Sequence, residues 1–212
     1  GKANGAIDRF VRALKVTASY GMAASAIFGL TQAIRAGITE IFNFDQALKN
    51  IQAVSGATTT EIGYIAEKML DVAKNSKFSA TEIGEGMIFI VQAGYSASEA
   101  VNVIKSAADL ATGTLSDMAF STDLLTSTLV AFEMQSVESG RVADVMANAI
   151  NKSKLDVDKL RVAFNYIGPT AHLAGITLEE TAAALMVMAN NGLRASTMAT
   201  GFRQVISHML AP

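Results

Sequence analysis

The chain contains no cysteine. That absence removes disulfides, thiol catalysis and thiolate metal sites together, and it leaves the redox compartment unmarked. Charge is also sparse. Only 17% of the 212 residues are Asp, Glu, Lys or Arg, against 50% hydrophobic residues. Disorder needs the opposite balance, so a sizeable core is expected, in one large domain or one domain with an appendage. The net charge of −2 gives no overall pull toward nucleic acid.

Between Lys15 and Arg35 charge is missing altogether. The 19 residues from Val16 to Ile34 would span about 29 Å as a helix, close to the ~30 Å hydrocarbon core of a bilayer. Thr17, Ser19, Ser25, Thr31 and Gln32 dilute the apolar character. Two readings therefore stand: a membrane-capable helix, or a helix buried against its own domain or against other copies. Within and just after this stretch Gly21, Ser25, Gly29, Ala33 and Gly37 recur at every fourth position. That spacing makes one ridge of small residues on a helix, the pattern that lets helix backbones approach closely. Each glycine in a solvated helix costs about 1 kcal/mol relative to Ala, and close packing would offset it.

The few charges are unevenly placed. Residues 1–37 hold Lys2, Arg9, Arg12, Lys15 and Arg35 against Asp8, a net of +4, while residues 38–212 carry a net of −6. The basic flank suits anionic lipid or nucleic-acid phosphate, or is simply a solvated helical end. The chain starts Gly-Lys-Ala-Asn-Gly without an initiator Met. A signal peptide would need a shorter apolar core and a cleavage site, and Ala23-Ala24-Ser25-Ala26 lies inside the stretch; the sequence reads as a fragment of something longer.

Catalytic constellations are likewise scarce. His172 and His208 stand 36 positions apart, outside any metal-ligand spacing. His172 reads as a helix-end or half-buried residue without a nearby acid, and His208 as a last-turn residue suited to a helix dipole. Glu82 with Glu85, and Glu179 with Glu180, are the candidate acid pairs. Glu82 and Glu180 already have capping assignments, however. Gly84-Glu85-Gly86 lacks the rest of a phosphate loop. Lys152, Lys154, Lys159 and Arg161 are interleaved with Asp156 and Asp158 and read as a solvated face rather than a nucleic-acid site. No enzyme activity, cofactor or metal is expected, and no specific nucleic-acid site.

What the sequence has in quantity is helix punctuation. Thr58 with Glu61, Ser79 with Glu82, Ser96 with Glu99 and Thr177 with Glu180 all fit the capping box, in which a hydroxyl accepts from the N3 amide and the N3 carboxylate accepts from the cap amide. Apolar residues follow at helical spacing, as in Ile62, Ile65, Met69 and Val72. No segment alternates with period two. The predicted class is all-α: a long N-terminal helix, then a multi-helix domain built from two similar helical units. The long helix is placed from about Ala6 to Val54, with Gly37 as a candidate break, within a segment 1–56. A globular core occupies 57–212. Its helices are placed near 60–75, 80–93, 97–111, 116–134, 138–151, 157–167, 178–190 and 197–209. The two similar units are 78–113 and 155–192, each reading helix, Ala-Gly, capping box, helix, Gly. Chance agreement of common punctuation is the alternative. Met186 and Met188 in an Ala-rich helix read as core packing.

A wider pattern then emerges. Phe44-Asp45-Gln46-Ala47-Leu48-Lys49-Asn50-Ile51 leads into Gly56-Ala57-Thr58-Thr59, then Ala73-Lys74-Asn75-Ser76, Phe78-Ser79-Ala80-Thr81-Glu82-Ile83 and Gln92-Ala93-Gly94-Tyr95. Later come Gly175-Ile176-Thr177-Leu178-Glu179-Glu180-Thr181 and Asn190-Asn191-Gly192-Leu193-Arg194-Ala195-Ser196. In order and spacing, residues 38–210 resemble the core region of phage tail tape measure proteins. The resemblance implies an all-α segment of a very long, multimeric structural protein that sets tail length in assembly and fills the tail tube. It implies expulsion at infection and help in forming the DNA conduit across the host envelope. Implied partners are further copies of itself, tail tube and tail tip proteins, and the host membrane. The implied locations are the virion tail lumen and, on ejection, the host membrane. A membrane-active helical domain of another origin, pore-forming or a secreted effector, is the competing reading.

Overall fold

A computed structural model describes residues 23–210, and every regular element among them is helical. The order is α1 (Ala23–Ser55), α2 (Thr59–Lys74), α3 (Ala80–Gln92), α4 (Ala97–Gly113), α5 (Met118–Ala131), a 3₁₀ turn (Ser136–Glu138), α6 (Ser139–Asn151), α7 (Val157–Leu173), α8 (Leu178–Asn190) and α9 (Ala195–Leu210). The chain divides into two compact units, Gly1–Asp45 and Gln46–Pro212. In the first, α1 runs without interruption through Gly37, so the candidate break there is not used. Ile41 and Phe42 on α1 are 69% and 67% exposed.

The second unit is built from caps outward. All four expected capping boxes form, at Thr58/Glu61, Ser79/Glu82, Ser96/Glu99 and Thr177/Glu180. Each satisfies two backbone donors that a helix start leaves orphaned, and a cap of this kind stabilises by roughly 1 kcal/mol. A fifth box, Gln135 with Glu138, opens the 3₁₀ turn ahead of α6. Asp117 and Asp156 cap α5 and α7 with their carboxylates alone.

Behind each cap the apolar residues fall on one stripe. Ile65 and Met69 of α2, Val103, Ile104 and Ala107 of α4, and Val142 and Met146 of α6 are fully buried. On the alternate helices Ile83, Met87 and Ile90 of α3, Leu124, Leu125 and Leu129 of α5, and Leu160 and Ile167 of α7 are also fully buried. Each large side chain removed from water stabilises by roughly 1.5–3 kcal/mol.

The helices pack as two rows. In one row α2 contacts α4, α4 contacts α6, and α6 contacts α8; in the other α3 contacts α5, α5 contacts α7, and α7 contacts α9. Consecutive helices also touch, so the unit is a series of four helical hairpins, α2–α3, α4–α5, α6–α7 and α8–α9, each stacked on the one before. The paired segments 78–113 and 155–192 cover α3–α4 and α7–α8.

One helix outlasts its sequence signal. The sequence places the end of this helix near 167, just before Gly168-Pro169, a pair that ordinarily stops a helix, yet α7 continues to Leu173 with Pro169 inside it. Proline removes one backbone donor from the helix ladder. Ile167 and Ala171, on either side of it, are fully buried, and that burial offsets the missing bond.

Candidate functional surface

The features that stand out among the described residues are packing surfaces. Of the small-residue ridge, Gly21 lies outside the described residues. Ser25, Gly29, Ala33 and Gly37 lie on α1, and Gly37 is exposed, with no atom within 4 Å of where a Cβ would stand. Among the described residues nothing approaches Gly37 closely.

Close backbone approach occurs elsewhere, at glycines the sequence did not single out for packing. A Cβ on Gly168 would stand 2.7 Å from the Ala131 Cβ, joining α7 to α5. One on Gly86 would meet the Thr122 Oγ1 at 2.9 Å, joining α3 to α5. One on Gly84 would meet the Ala47 Cβ at 2.8 Å. For Gly84 and Gly86 the available signal was position inside an apolar helical run, whereas Gly168 stood where the sequence placed a helix end.

Polar links tie successive hairpins along the edges of the stack. Arg141 of α6 donates from Nε and Nη2 to both carboxylate oxygens of Glu179 on α8, at 2.8 and 2.9 Å. These bonds hold the Glu179 carboxyl below its ordinary range and raise the Arg141 guanidinium. Arg161 of α7 donates to Asp123 of α5 at 3.2 Å and to Asp158 at 2.8 Å. The Asn151 side-chain amide donates to the Gly113 carbonyl at 3.1 Å, linking α6 to α4. The Ser106 and Ser139 hydroxyls meet at 2.9 Å between the same two helices.

The candidate chemical groups resolve into structural roles. Glu82 and Glu180 accept from their cap amides at 2.8 and 2.9 Å. Of the basic cluster, Lys159 pairs with Asp156 at 2.7 Å and Arg161 is paired as above. Lys154 donates to the Asn190 carbonyl at 3.2 Å. Within the cluster, Lys159 and Arg161 are thus paired with carboxylates. His172 sits in the last turn of α7, edge-on to Phe132. Contrary to the sequence reading it does have an acid nearby: its Nε2 stands 3.7 Å from the Glu133 carboxylate, brought in by the turn after α5. His208 lies in the last turn of α9.

The described residues include no group of three or more His, Cys, Asp or Glu that could hold a metal ion. A cleft of about 260 Å³ lies between α2 and α4, lined by Lys68, Asp71, Asn75, Asn102, Lys105 and Asp109. Charges of both signs line it, so it has no net field to favour a charged ligand. None of the described helices is long and apolar enough to cross a membrane. Residues 16–22 of the charge-free stretch lie outside that description.

Comparison with known proteins gives these surfaces a setting. A family model described as phage-related minor tail protein matches residues 66–212. The tape measure protein of Pneumococcus phage Dp-1 is 32% identical over 169 residues, covering 80% of this chain and 15% of the relative. The probable tape measure protein of Escherichia phage P2 is 26% identical over 173 residues, 81% of this chain and 21% of the relative. That of Clostridium phage phiCD119 is 24% identical over 159 residues, 73% of this chain and 16% of the relative. The chain thus spans about a fifth or less of the length of these curated relatives. No solved structure matches. With the family model covering well over half of its residues, the chain belongs to the phage-related minor tail protein family, in the part of it that tape measure proteins occupy.

Proposed function

We propose that this chain is a structural segment of a tail tape measure protein, placed in the virion tail, contributing to tail length in assembly and leaving the tail with the genome at infection. The observation that carries the reading is the alignment of 73–81% of the chain with one tape measure protein and two probable ones, from three different phages. The fold is consistent with it. Helical hairpins stacked through apolar faces and joined by edge ion pairs make a mechanical element, and its conspicuous charged groups are engaged in caps and links. The test is peptide mass spectrometry on purified virions before and after triggered genome release. Peptides from residues 23–210 are expected in loaded tails and depleted from emptied ones. Their absence from loaded tails would refute placement in the tail. Their retention at full level in emptied tails would refute expulsion.

Copies of the chain associate, in this reading, along the ridge formed by Gly21, Ser25, Gly29, Ala33 and Gly37. Support comes from the open space at Gly37, which a neighbouring helix can fill, and from the cost of about 1 kcal/mol that each helical glycine otherwise carries. Substitution Gly29→Leu would hold neighbouring backbones apart and is expected to lower the oligomeric mass of residues 1–212 in light scattering. An unchanged mass and unchanged melting temperature would remove the ridge from the interface. Tail tube and tail tip proteins are the further partners proposed. Contact with the host membrane belongs to the charge-free stretch 16–34. It requires residues 1–212, and not 45–212, to float with liposomes.

A further inference from the structure

Successive hairpins share one register. Caps Ser79, Asp117 and Asp156 open α3, α5 and α7, at intervals of 38 and 39 positions. Arg194, a further 38 on, accepts the first helical bond of α9 from the Met198 amide, as Ser79 does from Ile83 and Asp156 from Leu160. Thr58, Ser96 and Thr177 cap the first helices α2, α4 and α8, and Gln135 caps the 3₁₀ turn that leads into α6, at intervals of 38, 39 and 42. Residues of the four hairpins can therefore be compared position by position.

That comparison separates the last hairpin from the others. Eleven positions after the cap, Ile90, Thr128 and Ile167 are all 0% exposed, whereas Val205 is 54% exposed. Fifteen positions after it, Phe132 and Ala171 are buried and Met209 is 75% exposed, while the first hairpin has Gly94 there, exposed in the turn beyond α3. Seven positions after it stand Gly86 and Gly201. A Cβ at Gly86 would stand 2.9 Å from the Thr122 Oγ1 and 3.2 Å from the Met118 Cε of the following hairpin, while a Cβ at Gly201 would meet nothing within 4 Å among the described residues. On the other row Ser106 touches Ser139 of the following hairpin, and its register partner Val187 on α8 is 63% exposed. The earlier hairpins each have a successor stacked on them, and α8–α9 does not. Stacked-repeat proteins close such an end with a capping element whose outer face is polar, whereas this end presents Val187, Val205 and Met209.

We propose that the α8–α9 face is a docking surface for one further helical hairpin of the same polypeptide, folded in the same register. The surface is continuous with the internal stacking interface, and each internal step shows what fills it: a capped helix packed on α8 and a second packed over Gly201 and Val205. The source is the same chain because the curated relatives are about five to seven times longer than the segment they share with it. A capping box is expected about 38 to 42 positions after Thr177, the spacing of the three preceding steps. The inference stands on register and exposure, independently of any role in the tail.

The absence of cysteine makes the test direct. Val205→Cys and Met209→Cys each give a single thiol, with Leu115→Cys, at a turn position 87% exposed, as reference. Maleimide labelling is compared in residues 1–212 and in the protein extended by the following ~40 residues of its reading frame. In 1–212 both thiols should label at the reference rate, and in the longer protein about tenfold or more slower. Amide exchange in α9 of the unsubstituted chains gives the same readout without any substitution, and it should slow in the longer chain. Equal rates in both lengths overturn the proposal. So does a reading frame that stops at Pro212. Slowing in 1–212 alone with rising protein concentration also overturns it, because the occupant would then be a second copy.

Discussion

At the residue scale, stability turns on where small side chains are obligatory. Gly168 faces the Ala131 Cβ and has no room for a side chain, whereas Gly201 in α9 has nothing within 4 Å. The same type of substitution should therefore have opposite signs at the two sites. Overpacking by Gly168→Leu is expected to destabilise by about 1–3 kcal/mol or more. Gly201→Ala removes a flexible residue from a helix interior and is expected to stabilise residues 1–212 by about 0.5–1 kcal/mol. Urea unfolding of the two variants checks both, and a neutral Gly168→Leu would show that α5 and α7 are not in tight contact. None of this was legible beforehand. Spacing along one helix reveals a ridge such as Gly21 to Gly37, but close approach at Gly84, Gly86 and Gly168 depends on which helix arrives opposite, and the sequence does not state that. His172 illustrates the same limit, since its neighbour Glu133 comes from a turn 39 positions earlier.

At the element scale, helix starts were legible because their chemistry is local. A hydroxyl and a carboxylate three residues apart suffice, and all four expected boxes form. The intervening helix was placed near 138–151 and forms at Ser139–Asn151, but the capping box ahead of it was not read because it uses other residues for the same geometry. Where Gly94 and Gly175 take positive φ two positions before their caps, Glu133 does so at φ 52°, followed by Gln135 as cap. The far end of α7 was missed for the opposite reason: a strong local stop at Gly168-Pro169 lost to burial. The caps also predict an acid response. Glu61 and Glu180 are held below the ordinary carboxylate range, chiefly by the backbone bonds from their Thr caps, and Glu99 chiefly by the side-chain bond from Ser96. A carboxyl lowered in the folded state adds stability above its unfolded pKa and loses it as pH falls through its folded pKa. The melting temperature should hold near neutrality and drop below about pH 4.5. The triple substitution Glu61→Gln, Glu99→Gln, Glu180→Gln should melt lower at pH 7 and lose less on acidification. Parallel pH profiles for the two proteins would show that the caps do not contribute.

At the scale of the whole molecule, the compact unit from Gln46 carries its own core. Residues 45–212 are expected to unfold in one cooperative transition with a near-ultraviolet circular dichroism signal. A helical far-ultraviolet signal without a near-ultraviolet one would show that the segment before Asp45 is needed to fix the packing. The all-helical class was legible from caps and period, and the tape measure resemblance from the order of short sequence words. The two-row stacking was not, because it rests on pairings 38 or so positions apart, such as Arg141 with Glu179. The measurement that bears most directly on the role assigned to this chain is the tail length, by electron microscopy, of phage carrying an in-frame deletion of residues 46–210. Shortened tails, or none, are expected of a structural segment of the tape measure. Tails of normal length and number would contradict that role.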